Sequence, residues 1–289
     1  MAGLLALKRR IKSATNVAKI TKAMEMVSAA KMRKAQDRAL QTRYFSEKLE
    51  EIIGNVTSLN TTFSHPFFQF NPQPKNIAIL VFSTNKGLCG SLNTNLQKAL
   101  YQLANEQGKV NYYLIIAGKK VKGHIPAHQT ELIARFTELS DHPTFKEVRA
   151  ISTLMQEEFL KGAFDAIYAI YPHFISTLKN EIRIKRLLPL SPSKFTQEEG
   201  PVYGEYLIEP DPKTILDHLL PYQIEMSIYQ LALEAKASEH SARMVAMSNA
   251  SDNASDLINQ LTLDYNRARQ AKVTNELLDA TSARLALKE

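Results

Sequence analysis

The chain has 289 residues, of which 44 % are apolar and 22 % charged, with a single cysteine and a net charge of +7. Such a composition can bury one or two cores and excludes a disordered or fibrous chain, while one cysteine excludes an internal disulfide and suits a reducing compartment. No window approaches the ~20 apolar residues of a membrane-spanning helix, so any membrane association must run through other proteins.

The amino terminus lacks the charge-first, apolar-second order of a signal peptide, and we read the protein as unprocessed. From Leu4 to Ile53 there is neither Gly nor Pro, which permits one helix of roughly 75 Å. Apolar or small residues recur at Leu4, Leu7, Ile11 and Ala14, and again at Val17, Ile20, Met24 and Val27, the steps of three and four of a coiled-coil stripe. Between them lie Lys8, Arg9, Arg10, Lys12, Lys19 and Lys22, and residues 1–57 carry a net charge of +7.

All twelve prolines lie between Pro66 and Pro221, so the helix breakers are confined to the middle of the chain. There, Asn76–Phe82 is a short apolar run of strand composition, followed by Ser-Thr-Asn-Lys-Gly-Leu-Cys-Gly-Ser and a helix over Leu92–Glu106. Tyr112–Ala117 predicts a second strand, Glu131–Phe136 a third, Thr144–Lys161 a helix, Phe164–Tyr171 a fourth strand and Asn180–Leu188 a fifth. This alternation predicts a small, mostly parallel or mixed sheet with helices on its faces.

Pro189–Pro210 reads as a loop, after which Asp211 caps a helix whose first residue is Pro212. Pro221 predicts a kink or short break. From Tyr222 to Glu289 there is no Gly and no Pro, enough for a helix of roughly 100 Å, and Ala254, Leu257, Leu261, Tyr265 and Ala268 continue the three-four stepping. Residues 211–289 carry a net charge of −3, so the two terminal rods attract, which favours antiparallel pairing within one chain. The domains expected are therefore a helix over 1–57, an α/β domain over 75–190 and a second long helix over 211–289.

Independent chemistry finds little support. Gly87-Leu-Cys-Gly90 follows a strand but lacks the spacings that set several amides around a phosphate, so it reads as a tight strand-to-helix connection with Cys89 a structural thiol. His124 and His128 are separated by Pro126, which argues against one metal-binding helical face, and no nucleophile elbow is present. The basic first rod could track nucleic-acid phosphates, but it is nearly free of aromatics before Tyr44 and its small-residue stripe suits helix contact.

Two long stretches are more specific, Lys19-Ile-Thr-Lys-Ala-Met-Glu-Met-Val-Ser-Ala-Ala-Lys-Met-Arg-Lys34 and Ser238-Glu-His-Ser-Ala-Arg-Met-Val-Ala-Met-Ser-Asn-Ala-Ser-Asp-Asn253, the latter continued by Tyr265-Asn-Arg-Ala-Arg-Gln-Ala271. With Ser83-Thr-Asn-Lys-Gly-Leu-Cys-Gly90 and Glu209-Pro-Asp-Pro212, they closely resemble the gamma subunits of F-type ATP synthases, in order along the whole chain. The resemblance implies an α/β fold class: a long antiparallel coiled coil of the terminal helices plus a central Rossmann-like α/β domain. It further implies a rotor that performs no bond chemistry and needs no cofactor or metal, turning inside a ring of three alpha and three beta subunits to couple ion flow to ATP synthesis.

By that resemblance Met24 faces the moving lever of a beta subunit, and Arg243, Arg269 and Gln270 reach polar loops of the alpha and beta ring. Charge adds Lys8, Arg9, Arg10 and Lys12 as contacts to acidic ring surfaces. Tyr206 and Glu209 fall where the family's foot meets the membrane c-ring and the epsilon subunit. The expected location is the cytoplasmic face of a bacterial inner membrane, held there through partners, with no nucleic acid bound. The alternative is a nucleotide- or substrate-binding α/β protein with helical extensions, whose ligand would sit within residues 76–190.

Overall fold

A computed structural model describes residues 2–58, 65–107, 110–126, 129–191 and 209–286. Two long helices, α1 (Ala2–Ser58) and α4 (Pro212–Ala286), enclose in sequence an α/β segment of strands β1 (Asn76–Phe82), β2 (Asn111–Ala117), β3 (Thr130–Phe136), β4 (Ala166–Phe174) and β5 (Asn180–Leu188), with helices α2 (Leu92–Gln107) and α3 (Phe145–Leu160). The chain divides into two compact units, residues 1–28 with 244–289 and residues 29–243. Those units cut across both long helices, where the sequence suggested three parts.

In the larger unit the sheet order is β3-β2-β1-β4-β5, parallel except for the antiparallel β4–β5 edge. Strand β1 is apolar along its length because both of its faces are covered. Ile77, Ile79 and Val81 meet Leu96, Leu100 and Leu103 of α2. Ala78, Leu80 and Phe82 face a core shared by α3, by Leu49, Ile53 and Val56 of α1, and by Leu216, Leu220, Ile224 and Ile228 of α4. The period of two along the strand thus sorts its side chains between two cores, each fully buried aliphatic contributing roughly 1.5–3 kcal/mol.

Helix ends follow the local chemistry. Thr144 and Glu147 form a reciprocal capping box at the start of α3. Asp211 accepts the Thr214 amide at 2.9 Å, with Pro212 in the first turn of α4. The break expected at Pro221 is absent, since α4 continues through it as one 75-residue helix. Leu220 and Ile224 on either side are fully buried, and the Gln156 side-chain amide donates to the Pro221 carbonyl at 3.1 Å, so packing holds the segment helical. Beyond it, the ten residues from Leu231 to His240 are all buried, a helix covered on every side.

Within the larger unit the two long helices run antiparallel. Gln223 of α4 donates to Glu50 of α1 at 2.8 Å, while Glu234, further along α4, meets Arg43, earlier in α1.

Candidate functional site

In the smaller unit the buried line along α1 passes through Ala14, Ala18, Thr21 and Ser28, with Ala14, Thr21 and Ser28 buried and Ala18 half-buried. Val17, Ile20 and Val27 are 48 %, 59 % and 54 % exposed. This corrects the stripe read from sequence. Steps of three and four that alternate strictly lead from Ile11 and Ala14 to Ala18 and Thr21, whereas Val17 repeats a step of three. On α4 the inward line is Met247, Ser251, Ala254, Ile258, Leu261, Tyr265 and Ala268, and Leu257 points outward. Small residues close the seam from Ala14 to Ser28, and Val17, Ile20 and Val27 of α1 are left facing away from it.

Met24 is half-buried on α1, and Arg9 and Arg10 are exposed. Arg269 and Gln270 are exposed near the carboxyl end of α4, where Lys272 is the last residue with partial cover among those described. Glu209 is exposed just ahead of α4, and Tyr206 lies outside the described residues.

Arg243 stands apart from these, being only 6 % exposed within the larger unit. Its Nε donates to the Gly87 carbonyl and a terminal nitrogen to the Lys86 carbonyl, both at 3.2 Å, and the same nitrogen meets Glu239 at 2.7 Å. Its guanidinium is therefore engaged inside the chain, where sequence reasoning had it reaching a partner. Burial works against the Glu239 charge, but Lys236 and Arg243 beside it more than offset this and hold its carboxyl below the usual range. His240 is pushed down to about 4, chiefly by burial, and its Nδ1 faces Arg243 at 3.4 Å while its Nε2 lies 3.9 Å from Asp141. An arginine nitrogen can only donate, so Nδ1 accepts and the ring proton sits on Nε2. Asp141 also pairs with Lys31 of α1.

A second buried polar group lies earlier on α4. Glu234 sits 2.5 Å from the Nδ1 of His173 on β4, accepts from Gln230 at 3.1 Å and approaches Arg43 of α1 at 3.5 Å. Neither group was foreseen from sequence. The signal was present as Lys236, Glu239 and Arg243 at helical spacings of three and four within an otherwise small and apolar run.

What the sheet can do chemically is set at the carboxyl ends of β1 and β4, the point where strand order reverses and doubly wound sheets hold ligands. Here that crevice is filled by α4. A cavity of only about 10 Å³ remains, lined by Ser83, Thr84, Gly118, Pro172, Lys236 and Glu239 among others. The turn after β1, with Leu88 and Gly90 at φ near +60°, offers carbonyls to a cation rather than amides to a phosphate. Cys89 is buried in that turn, with the Asn93 side-chain amide 3.3 Å from its sulfur. Among the described residues no group of three or more His, Cys, Asp or Glu side chains could hold a metal ion, and no helix is long and apolar enough to cross a membrane.

A family model described as ATP synthase matches residues 3–287. The chain is 41 % identical over 289 residues to an ATP synthase gamma chain of Dehalococcoides mccartyi, covering 99 % of this chain and all of that one. It is 40 % identical over 292 residues to the ATP synthase gamma chain of Cupriavidus pinatubonensis, again covering 99 % and 100 %. Among solved structures it superposes on a chain of the Euglena gracilis mitochondrial ATP synthase with a TM-score of 0.66 at 18 % identity, over 99 % of this chain and 95 % of that one. A chain from the central stalk and c-ring of the Tetrahymena thermophila enzyme gives 0.59 at 24 %, over 80 % and 99 %. Those two share its fold: paired long helices and a central α/β sheet. On the match across residues 3–287 and on relatives near 40 % identical along their whole length, the chain belongs to the ATP synthase gamma chain family.

Proposed function

We propose that the chain is the rotating central stalk of an F-type ATP synthase, turning inside an alpha and beta ring and carrying no catalytic site of its own. The observation that carries this reading is the distribution of side chains on α1. Its seam is closed by Ala14, Ala18, Thr21 and Ser28, and Val17, Ile20 and Val27 are left outward as an apolar surface for another protein. Met24, Arg9 and Arg10 lie on the same helix and Arg269 and Gln270 on its partner, so apolar and cationic groups are both available to ring subunits. Different faces of one rod make different contacts with three otherwise equivalent partners, and each contact biases a different conformation. Hydrolysis and synthesis of ATP then belong to the beta subunits.

Glu209, and Tyr206 before it, are assigned to the foot that meets the epsilon subunit and the c-ring, which holds the protein at the cytoplasmic face of the membrane through partners alone. Arg243 is left out of the ring contacts because its guanidinium is engaged internally. A nucleotide-binding α/β protein is disfavoured by the crevice that α4 fills.

Reconstitution with the alpha and beta subunits of the same organism tests the reading. The expected result is one copy of this chain per three alpha and three beta subunits, with steady ATPase turnover that depends on it. Failure to associate would overturn it.

A further inference from the structure

We infer that the successive carbonyls of Lys86 and Gly87, in the turn after β1, form a guanidinium socket, and that capture of Arg243 in it fixes α4 to the α/β sheet. The socket is a property of the chain itself; its consequence for coupling rests on the rotor reading.

The geometry is that of a fork. Two nitrogens of one planar group reach two consecutive main-chain oxygens at 3.2 Å each, the nitrogen on the Lys86 carbonyl also meets the Glu239 carboxylate at 2.7 Å, and the third nitrogen faces His240 Nδ1 at 3.4 Å. A lysine ammonium is a compact point donor and cannot set two separate nitrogens on the two oxygens as the planar guanidinium does. Two neighbouring residues of α4 act in the same sense at the end of β4. Ser238 donates to the Pro172 carbonyl at 2.9 Å and Ser241 to the Thr177 carbonyl at 2.7 Å. Three side chains within two turns of α4 thus donate to four carbonyls at the ends of β1 and β4, the strands that flank the reversal of strand order. The position that would hold a diffusible ligand in a sheet of this topology instead holds the protein's own helix. Arg243 is in these terms a positioning residue, sealed from solvent and set among accepting groups. The charges facing it are Glu239 and Lys236 on its own helix and, through His240, Asp141 and Lys31.

Hydrogen exchange on the full-length chain tests the socket. Replacing Arg243 by Ala is expected to raise exchange at least about tenfold in residues 83–91 and 231–243, the equivalent of one lost hydrogen bond to a charged group. Millimolar guanidinium or methylguanidinium is expected to restore that protection, and methylammonium at the same concentration to leave it lost. Should the alanine variant fail to fold, Arg243→Lys keeps the charge beside Glu239 and is expected to fold with the same loop exposed to exchange. Wild-type protection in Arg243→Lys, or rescue by methylammonium as efficient as by guanidinium, would overturn the socket. In the reconstituted assembly, Arg243→Lys is expected to bind the ring normally while lowering ATP synthesis relative to hydrolysis. A wild-type chain that does not assemble refutes the rotor reading alone, because the exchange experiment involves no partner.

Discussion

The carboxylate of Glu234 lies 2.5 Å from the Nδ1 of His173, joining the middle of α4 to the end of β4 at a point where Arg43 of α1 also arrives. Three elements far apart in sequence therefore meet on one buried acid. Replacing Glu234 by Ala leaves His173 and the Gln230 amide without their acceptor and is expected to cost about 3 kcal/mol, with Gln in its place costing roughly half as much. Urea denaturation of the isolated chain measures the difference.

The stability of the larger unit should fall as the solution is acidified through the histidine range. His240 binds its proton near pH 4 when folded and near 6.5 when unfolded, so the unfolded chain takes up more protons in that window. Stability is fully present above about 6.5 and declines toward 4, by up to about 1.4 kcal/mol per pH unit for one such group. His65 and His142 are displaced in the same direction, burial being the main cause. Asp141 and Glu239 lose their contribution only at lower pH, because Lys31, Lys236 and Arg243 keep them ionised below the usual carboxylate range. His240→Gln should flatten the slope between pH 6.5 and 4 by about one proton, as read from denaturation midpoints across pH.

Gly118 follows β2 at φ +119°, and a Cβ there would come within 2.4 Å of the Ser83 carbonyl oxygen, a main-chain atom with no room to yield. Gly118→Ala is expected to destabilise the chain by at least about 2 kcal/mol. Gly162, at φ +76° but facing open space, is the control, and its alanine variant should lose only about 1 kcal/mol. Thermal unfolding of the pair separates steric clash from backbone preference.

Ile20 faces outward on α1, so Ile20→Ser should change the stability of the isolated chain by less than about 0.5 kcal/mol. Its affinity for the alpha and beta ring should fall by at least about tenfold, since an apolar contact is lost only on assembly. Equal loss in both measurements would place Ile20 in the seam and contradict its exposure.

How much of this was legible in the sequence depended on how local the cause was. Strand β5 and the cap of α4 were readable residue for residue, because alternation and the Asp-Pro pair act over a few positions. The register of α1 was not, because Val17 and Ala18 both continue a three-four pattern from Ala14, and apolar size drew the reading to the wrong one. A seam of small residues lets two helix backbones approach closely, and strict alternation of step lengths was the cue that decided between them. Pro221 stays within a helix through Gln156 and flanking core contacts that no nearby residue announces. Among the candidate site residues, Met24, Arg9, Arg10, Arg269 and Gln270 are proposed from motif and charge alone, whereas the burial of Arg243 depends on carbonyls more than 150 residues earlier.

One face of the central sheet is finished by Leu49, Ile53 and Val56 from one end of the chain and by Leu216 through Ala235 from the other. During synthesis, all five strands leave the ribosome before that second covering exists. At roughly 5–20 residues per second the apolar face stays only partly covered, by α1 and α3, for several seconds, long enough for aggregation or chaperone capture. A chain cut short before about Leu216 would keep that part of the face uncovered permanently, so the cell's proteolytic triage should remove it as misfolded even though every strand of the sheet is intact.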